Sequence, residues 1–452
     1  MTYRAKVELL YLLGFSLDLV NMFIGTVAYP AVAADLHASV PQLAWIGNAY
    51  MLGLTLVIPL GSWLAARLGE RWLLCLSLAM FALGAVLAGT APSIEALIGW
   101  RLLQGLGGGL LIPVGQAMAY RQCPPAERGR LTARIMAVAL LVPALSPTLG
   151  GWLVGLGSWR WVLLASVPLA ALALLLAAVW VRAGRAPRAL PPLDRRGLLL
   201  GSLGLSLLLV ALSRIAEAQA RAPGIALLLL AAAVLAVYAR TAARTAQPVL
   251  QWTLLRHPAL RLAMLVYLLV PGTFIGTQLV ATLLLHRQGY TAAAIGGFML
   301  PWAIASACAI ATTRARLPRL GARPLLSAGM LCQAIGIALL IGVQAHQPGL
   351  PVLAFALMGL GGSLCSSSAQ TLAFQGMSDD ELLPGSALWN LNRQLSFCLA
   401  AALLACVLAV LSALTPDSAF TFTLLLAAGM SLLPLLLLWR LPASTLTLRT
   451  SA

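Results

Sequence analysis

Asp18 stands deep in an apolar run, and the other acids of the chain do not. The sequence has 12 acidic residues in 452. Apart from Glu8, near the start of the same run, the rest fall in loops or at the edges of apolar stretches. A charge at the centre of a bilayer costs about 2.5–3.5 kcal/mol on insertion scales, so it needs a partner or a water-filled cavity. Gly14, Asp18, Asn21 and Gly25 recur at helical spacing and form a small, polar stripe that should turn away from lipid. A carboxyl so placed can take up and release a proton once per cycle. It can equally serve as a structural anion paired with an arginine or a backbone group. Asn21 reads mainly as a hydrogen-bonding group within a helical bundle.

A second buried charge is expected in Arg101-Leu102-Leu103-Gln104-Gly105-Leu106-Gly107-Gly108-Gly109. Gln104 lies one turn from Arg101, and the glycines make a groove that admits another backbone. An arginine snorkelling from a span end is the alternative. Pro143 and Pro147 stand four apart, remove amide donors and should bend their helix. Gly150 and Gly151 follow and permit close packing, so the segment is a candidate hinge. Asn48, Thr55, Gln104, Thr273, Thr277, Gln370 and Arg393 are polar residues within apolar runs and candidates for a substrate cavity, together with Asn21. Trp302 and Trp389 divide equally between packing and cavity wall, whereas Trp45 reads as an interfacial anchor.

The elements that must hold these residues are membrane spans. Hydrophobic residues make up 61% of the chain and charged residues 9%, with a mean hydropathy of +0.94. No soluble domain of this size could bury so much apolar surface. Fourteen runs are long enough to span, near residues 8–30, 44–65, 72–90, 95–119, 134–155, 159–181, 196–214, 223–240, 260–285, 292–313, 324–343, 350–376, 390–413 and 418–439. The chain also repeats itself. Arg67-Leu68-Gly69-Glu70-Arg71 recurs as Arg319-Leu320-Gly321-Ala322-Arg323, an offset of 252. Gly105-Leu106-Gly107-Gly108 recurs as Gly359-Leu360-Gly361-Gly362, Gln116 as Gln370 and Glu127 as Glu381, an offset of 254. Runs 7 and 8 have no counterpart. The expected fold is an all-α integral membrane protein with two pseudo-symmetric six-helix bundles, residues 1–185 and 256–452. Two inserted central helices within 186–255 bring the count to 14 transmembrane helices.

The net charge of +17 does not mark a nucleic-acid binder. With the N-terminus inside, 23 of the 29 basic residues fall in cytoplasmic segments and 4 in outer ones, the remaining two being Arg101 and Arg393. That bias supports both termini being cytoplasmic. The 7 cysteines contain no C-x-x-C, and the 4 histidines are scattered, so neither a metal nor another cofactor is expected. The run after Arg4 and Lys6 is too long for a signal peptide and carries Asp18 and Asn21. The stretch with Pro187, Pro191 and Pro192 reads as a cytoplasmic linker.

Three of these stretches resemble the major facilitator superfamily. They are the loop Gly61–Arg71 with Gly61, Arg67, Gly69 and Arg71, the span-4 pattern of Arg101, Gln104 and Gly105, and the proline–glycine pattern of span 5 typical of its exporters. Further matches narrow the likeness to the fourteen-span drug:proton antiporters: Trp159-Arg160-Trp161 with Pro168, Gly289-Tyr290-Thr291 with Gly296 and Pro301, and Asn390 with Arg393-Gln394-Leu395. The resemblance covers about residues 10–440. It implies proton-coupled export of small, amphipathic molecules such as drugs or toxic metabolites from the bacterial inner membrane. Asp18 and Arg101 would then be the proton-coupling pair, and the loop and span-5 residues the gating elements. A monomer is expected, and the sequence does not speak to a periplasmic adaptor.

Two departures stand out. Ala66 occupies the place of the family's loop aspartate, which puts the usual cytoplasmic latch in doubt and leaves Glu70 as a substitute. The family's span-1 aspartate, counted back from Pro30, falls at Asn21, with Asp18 one turn earlier. Two other readings remain: an uptake symporter, against which the span-5 pattern argues, and an integral membrane enzyme or non-transporting sensor. The enzyme would need a catalytic constellation at an interface. Asp379-Asp380-Glu381 is clustered there but has no histidine or metal-ligand partner nearby.

Overall fold

In a computed structural model the chain is all-helical, with no strand among the described residues. These are residues 1–23, 28–38, 40–124, 127–155, 157–182, 194–215, 218–245, 248, 250–290, 292–344, 347–375 and 377–440. Gly25, Thr291 and the linker prolines Pro187, Pro191 and Pro192 lie outside them. Among the described residues ten helices are long and apolar enough to cross a bilayer. Helices Tyr3–Phe23, Val40–Val57, Arg128–Gly155 and Met299–Leu320 occupy the four other expected runs. The architecture is that of an inverted soluble protein: Trp72, Leu83, Trp152, Val179, Leu229 and Leu436 face outward, while Asp18, Arg101 and Arg393 are buried.

Glycine contacts make the internal repeat physical. Gly105 lies against the Tyr50 backbone, and its counterpart Gly359 against the Trp302 backbone. Gly107 meets Phe81 and Ser77, as Gly361 meets Gln333 and Gly329. Gly84 meets Gln104, as Gly336 meets Met358. A Cβ at any of these six positions would come within 3.0 Å of a facing backbone atom. Helix Ile94–Arg121 therefore sinks between Val40–Val57 and Glu70–Gly89, and Gly349–Phe374 sinks the same way between Met299–Leu320 and Ala322–Leu339. The turns repeat too. Gly69 (φ 77°) and Gly321 (φ 75°) each end one helix and start the next in a conformation closed to side chains.

Buried apolar residues divide in an informative way. One cluster runs through both halves, from Val7 and Tyr120 to Phe374 and Leu438. Two others stay within single halves: Ala28, Ile46, Ala88 and Val162 in the first, and Val280, Phe298, Phe355 and Leu424 in the second. The halves are thus fused near one end and packed separately near the other. Helices Arg195–Ile215 and Arg221–Ala242 pack mainly on each other, and Arg195–Ile215 also touches Val40–Val57 and Asp379–Leu414. Near the separate end, Asp35 accepts hydrogen bonds from Trp159 Nε1 (3.0 Å) and Arg160 (2.7 Å). Those two donors hold the Asp35 carboxyl below its ordinary range, and they explain the local Trp-Arg pattern. At the fused end Arg4 pairs with Glu127 at 2.5 Å, and His257 with Glu381 at 3.2 Å. The two acids correspond across the repeat, whereas their partners, 253 apart, stand one position out of its register.

Candidate functional site

Helix Asp379–Leu414 carries Ser386, Asn390 and Arg393 at i, i+4 and i+7, a single stripe. That stripe faces the first half. Its upper member, Arg393, lies 3.6 Å from Asp18 Oδ2 on helix Tyr3–Phe23. Asp18 Oδ1 accepts a 2.8 Å hydrogen bond from the Tyr50 hydroxyl. The carboxylate therefore joins three helices and both halves of the chain, at 2% exposure. The sequence pairs Asp18 with Arg101 for proton coupling and puts Arg393 in the cavity; in the structure Arg393 is the arginine beside the carboxylate. Arg101 instead donates to Gln104 Oε1 (2.7 Å), Asn21 Oδ1 (3.2 Å), the Asn21 carbonyl (3.0 Å) and the Ile46 carbonyl (3.3 Å). Gln104 donates in turn to Asn21 Oδ1 at 2.7 Å. Asn21 thus hydrogen-bonds inside the bundle, as expected. Arg101 also lies 4.6 Å from the centre of the Tyr50 ring, so the two clusters share one wall.

Below this centre the same stripe closes the seam. Gln116 Oε1 accepts from the Ser386 hydroxyl (2.8 Å) and from Asn390 Nδ2 (2.7 Å). Its repeat counterpart Gln370 donates to the Tyr120 hydroxyl at 3.4 Å, and that hydroxyl shares a 2.8 Å hydrogen bond with Thr132. Thr132 and Ser386 are themselves repeat counterparts. Tyr120 stacks on Phe374 with ring centres 4.5 Å apart, and Arg128 donates to the Phe374 carbonyl at 2.6 Å. The sequence marks the glutamines by their recurrence, with Gln370 a cavity candidate, and names no partner for either. Tyr50, Tyr120 and Phe374 carried no signal, because an aromatic in an apolar run looks like packing.

The remaining candidates separate. Trp389 is buried between the two levels and meets Tyr267 and Phe374 edge-on. Trp302 stacks on Phe274 within the second half. Thr55 and Thr273 are fully buried; Thr55 donates to the Met51 carbonyl of its own helix, and Thr273 to the Leu269 carbonyl at the end of the preceding helix Pro258–Leu269. The Thr277 hydroxyl is buried without a hydrogen-bond partner. Asn48 is half-buried, two residues from Tyr50 and so on the other side of that helix. Helix Arg128–Gly155 runs unbroken through Pro143, Pro147, Gly150 and Gly151. Gly61 opens helix Gly61–Leu68, and Arg67 and Arg71 stack on Trp63 and Trp72. With Ala66 in place of an acid, Glu70 pairs with Arg121 of its own half at 2.8 Å.

The centre thus sets a buried carboxylate between groups from both halves of the chain. No cluster of metal-ligating side chains occurs among the described residues. Residues 10–401 match the family model described as Major Facilitator Superfamily. The chain is 32% identical over 399 residues to a "Multidrug resistance protein B homolog" of Mycobacterium tuberculosis, covering 86% of this chain and 73% of that one. It is 29% identical over 374 residues to a "Probable transport protein HsrA" of Haemophilus influenzae, covering 81% and 80%. The solved structure of the human organic anion transporter MFSD10 superposes with a TM-score of 0.69 at 18% identity, covering 97% of this chain and all of that one, a likeness of fold alone. The chain belongs to the major facilitator superfamily, whose members are membrane transporters and not enzymes.

Proposed function

We propose that this protein is a proton-coupled exporter of small, amphipathic compounds, working by alternating access. In this reading two six-helix bundles, residues 1–185 and 256–452, rock about the seam, and helices within 186–255 raise the count to fourteen spans. Both termini face the cytoplasm of a bacterial inner membrane. The relatives named for multidrug resistance support the direction and the kind of cargo. One observation carries the reading: a buried carboxylate, Asp18, is tied to Arg393 across the seam. A proton on Asp18 cancels that tie, so protonation and the relation between the halves are linked. Arg101, Asn21 and Gln104 form the rigid wall that keeps Asp18 in register.

The fused end corresponds to the cytoplasmic side under the basic-residue bias, and the separately packed end to the outer side. The conformation is then closed inward. Purified protein in liposomes, loaded with a fluorescent drug and given an outward-acid pH step, should move drug against its gradient and collapse the pH difference. Asp18→Asn should lose both while keeping drug binding. Concentrative, proton-dissipating transport by that variant at the parental rate would move the coupling group elsewhere.

A further inference from the structure

The charged centre is one anion short. Among the described residues Asp18, Arg101 and Arg393 are its buried ionic groups, so two guanidiniums share one carboxylate. The two cations are unequally satisfied. Arg101 uses its donors on four acceptors within the first half. Arg393 has a single ion pair through one nitrogen at 3.6 Å, and its Nε is buried with no hydrogen-bond partner. A buried orphan donor is costly, and a guanidinium fork matches the two oxygens of one oxyanion. Aromatic surface surrounds the fork. The Phe15 ring lies 5.2 Å away, and Tyr267 bridges Trp389 and Phe397, which flank Arg393 by one turn on either side.

We propose that Arg393 is the recognition point for the substrate's charged group, and that the substrate class is a carboxylate on an apolar body. This rests on the export reading for its transport step and narrows that reading to a chemistry. Asp18 becomes the internal competitor for Arg393. A proton on Asp18 or an anion on Arg393 each releases the tie between the halves, so a carrier that cannot reorient while tied exchanges one for the other. A lipophilic cation directed to Asp18 would meet Arg393 within the same contact.

Three probes with one apolar body test this: 1-pyrenebutyrate, its neutral amide and the corresponding amine, titrated into the full-length protein in nanodiscs. The carboxylate should bind tightest. Arg393→Gln should weaken it by about tenfold to a hundredfold, the range for loss of a charge-assisted partner, and leave the amide unchanged. Asp18→Asn should tighten the carboxylate several-fold, because its competitor is gone, and a gain of affinity cannot come from misfolding. Preference for the amine with weakening by Asp18→Asn overturns the proposal. So does equal binding of all three probes, binding of none, or indifference to Arg393→Gln. Proteoliposome transport of the same probes separates the two claims. Proton-coupled movement of the amine or amide without the carboxylate leaves the exporter standing and removes the substrate class. Arg393-dependent carboxylate binding without transport of any probe does the reverse.

Discussion

Replacing Gln116 by leucine should open the inner seam, and the size of the effect can be worked from its bonds. Gln116 Oε1 accepts two hydrogen bonds from the opposite half, at 2.8 and 2.7 Å. A typical intramolecular hydrogen bond contributes about 0.5–1.5 kcal/mol net, so two contribute about 1–3 kcal/mol to the closed seam. That corresponds to a shift of roughly 5- to 150-fold toward the inward-open form. Gln370, its counterpart, makes one long bond of 3.4 Å. Gln370→Leu should therefore shift the same equilibrium by less than about fivefold. Spin labels at Gln122 and Asp380, exposed at the inner end of either half, report the two populations by pulsed electron resonance once the native cysteines are replaced. An unchanged distance distribution in Gln116→Leu, or a larger shift in Gln370→Leu, would refute the seam energetics argued here.

Arg101→Ala should still insert but lose transport, with a lower unfolding temperature in detergent. Arg101→Lys should recover part of each, since one ammonium cannot span four acceptors. Gly105→Ala and Gly359→Ala should each destabilise by about 1–3 kcal/mol through overpacking against facing backbone, whereas Gly99→Ala, which has open space, should be silent in the same melting assay. Reporter fusions at Ala189 and Ala246 should give cytoplasmic signals and one at Ala218 an outer signal; a cytoplasmic signal at Ala218 would return the chain to twelve spans.

What could be read from the sequence was what is local. Apolar runs place the helices, because length and hydropathy are properties of one segment. The glycine repeat gave the close approaches at Gly105 and Gly359, since only small residues admit a facing backbone. Asp18 was recognisable because an acid in an apolar run is costly wherever it points. Its partner was not: Arg101 and Arg393 are equivalent candidates until the helices are arranged, and the stripe Ser386–Asn390–Arg393 acquires meaning only against Gln116 and Asp18. Pro143 and Pro147 lie within the continuous helix Arg128–Gly155, since each proline costs a helix its own amide donor and leaves the rest of the ladder in place.

The repeat that matches so much of the two halves omits the charged centre. At the offset of 254, Asp18 corresponds to Gly272 and Arg393 to Ala139. Duplication supplied the mechanics twice and the charge once. A single carboxylate sets a ceiling of one proton per turnover at this centre. If the cargo is a monoanion, one anion leaving and one proton entering carry two charges in the same electrical sense. Each charge draws about 2.3 kcal/mol from every 100 mV of membrane potential. Such a carrier would run on voltage as much as on pH, and would keep working in a cell whose interior and surroundings are equally acidic.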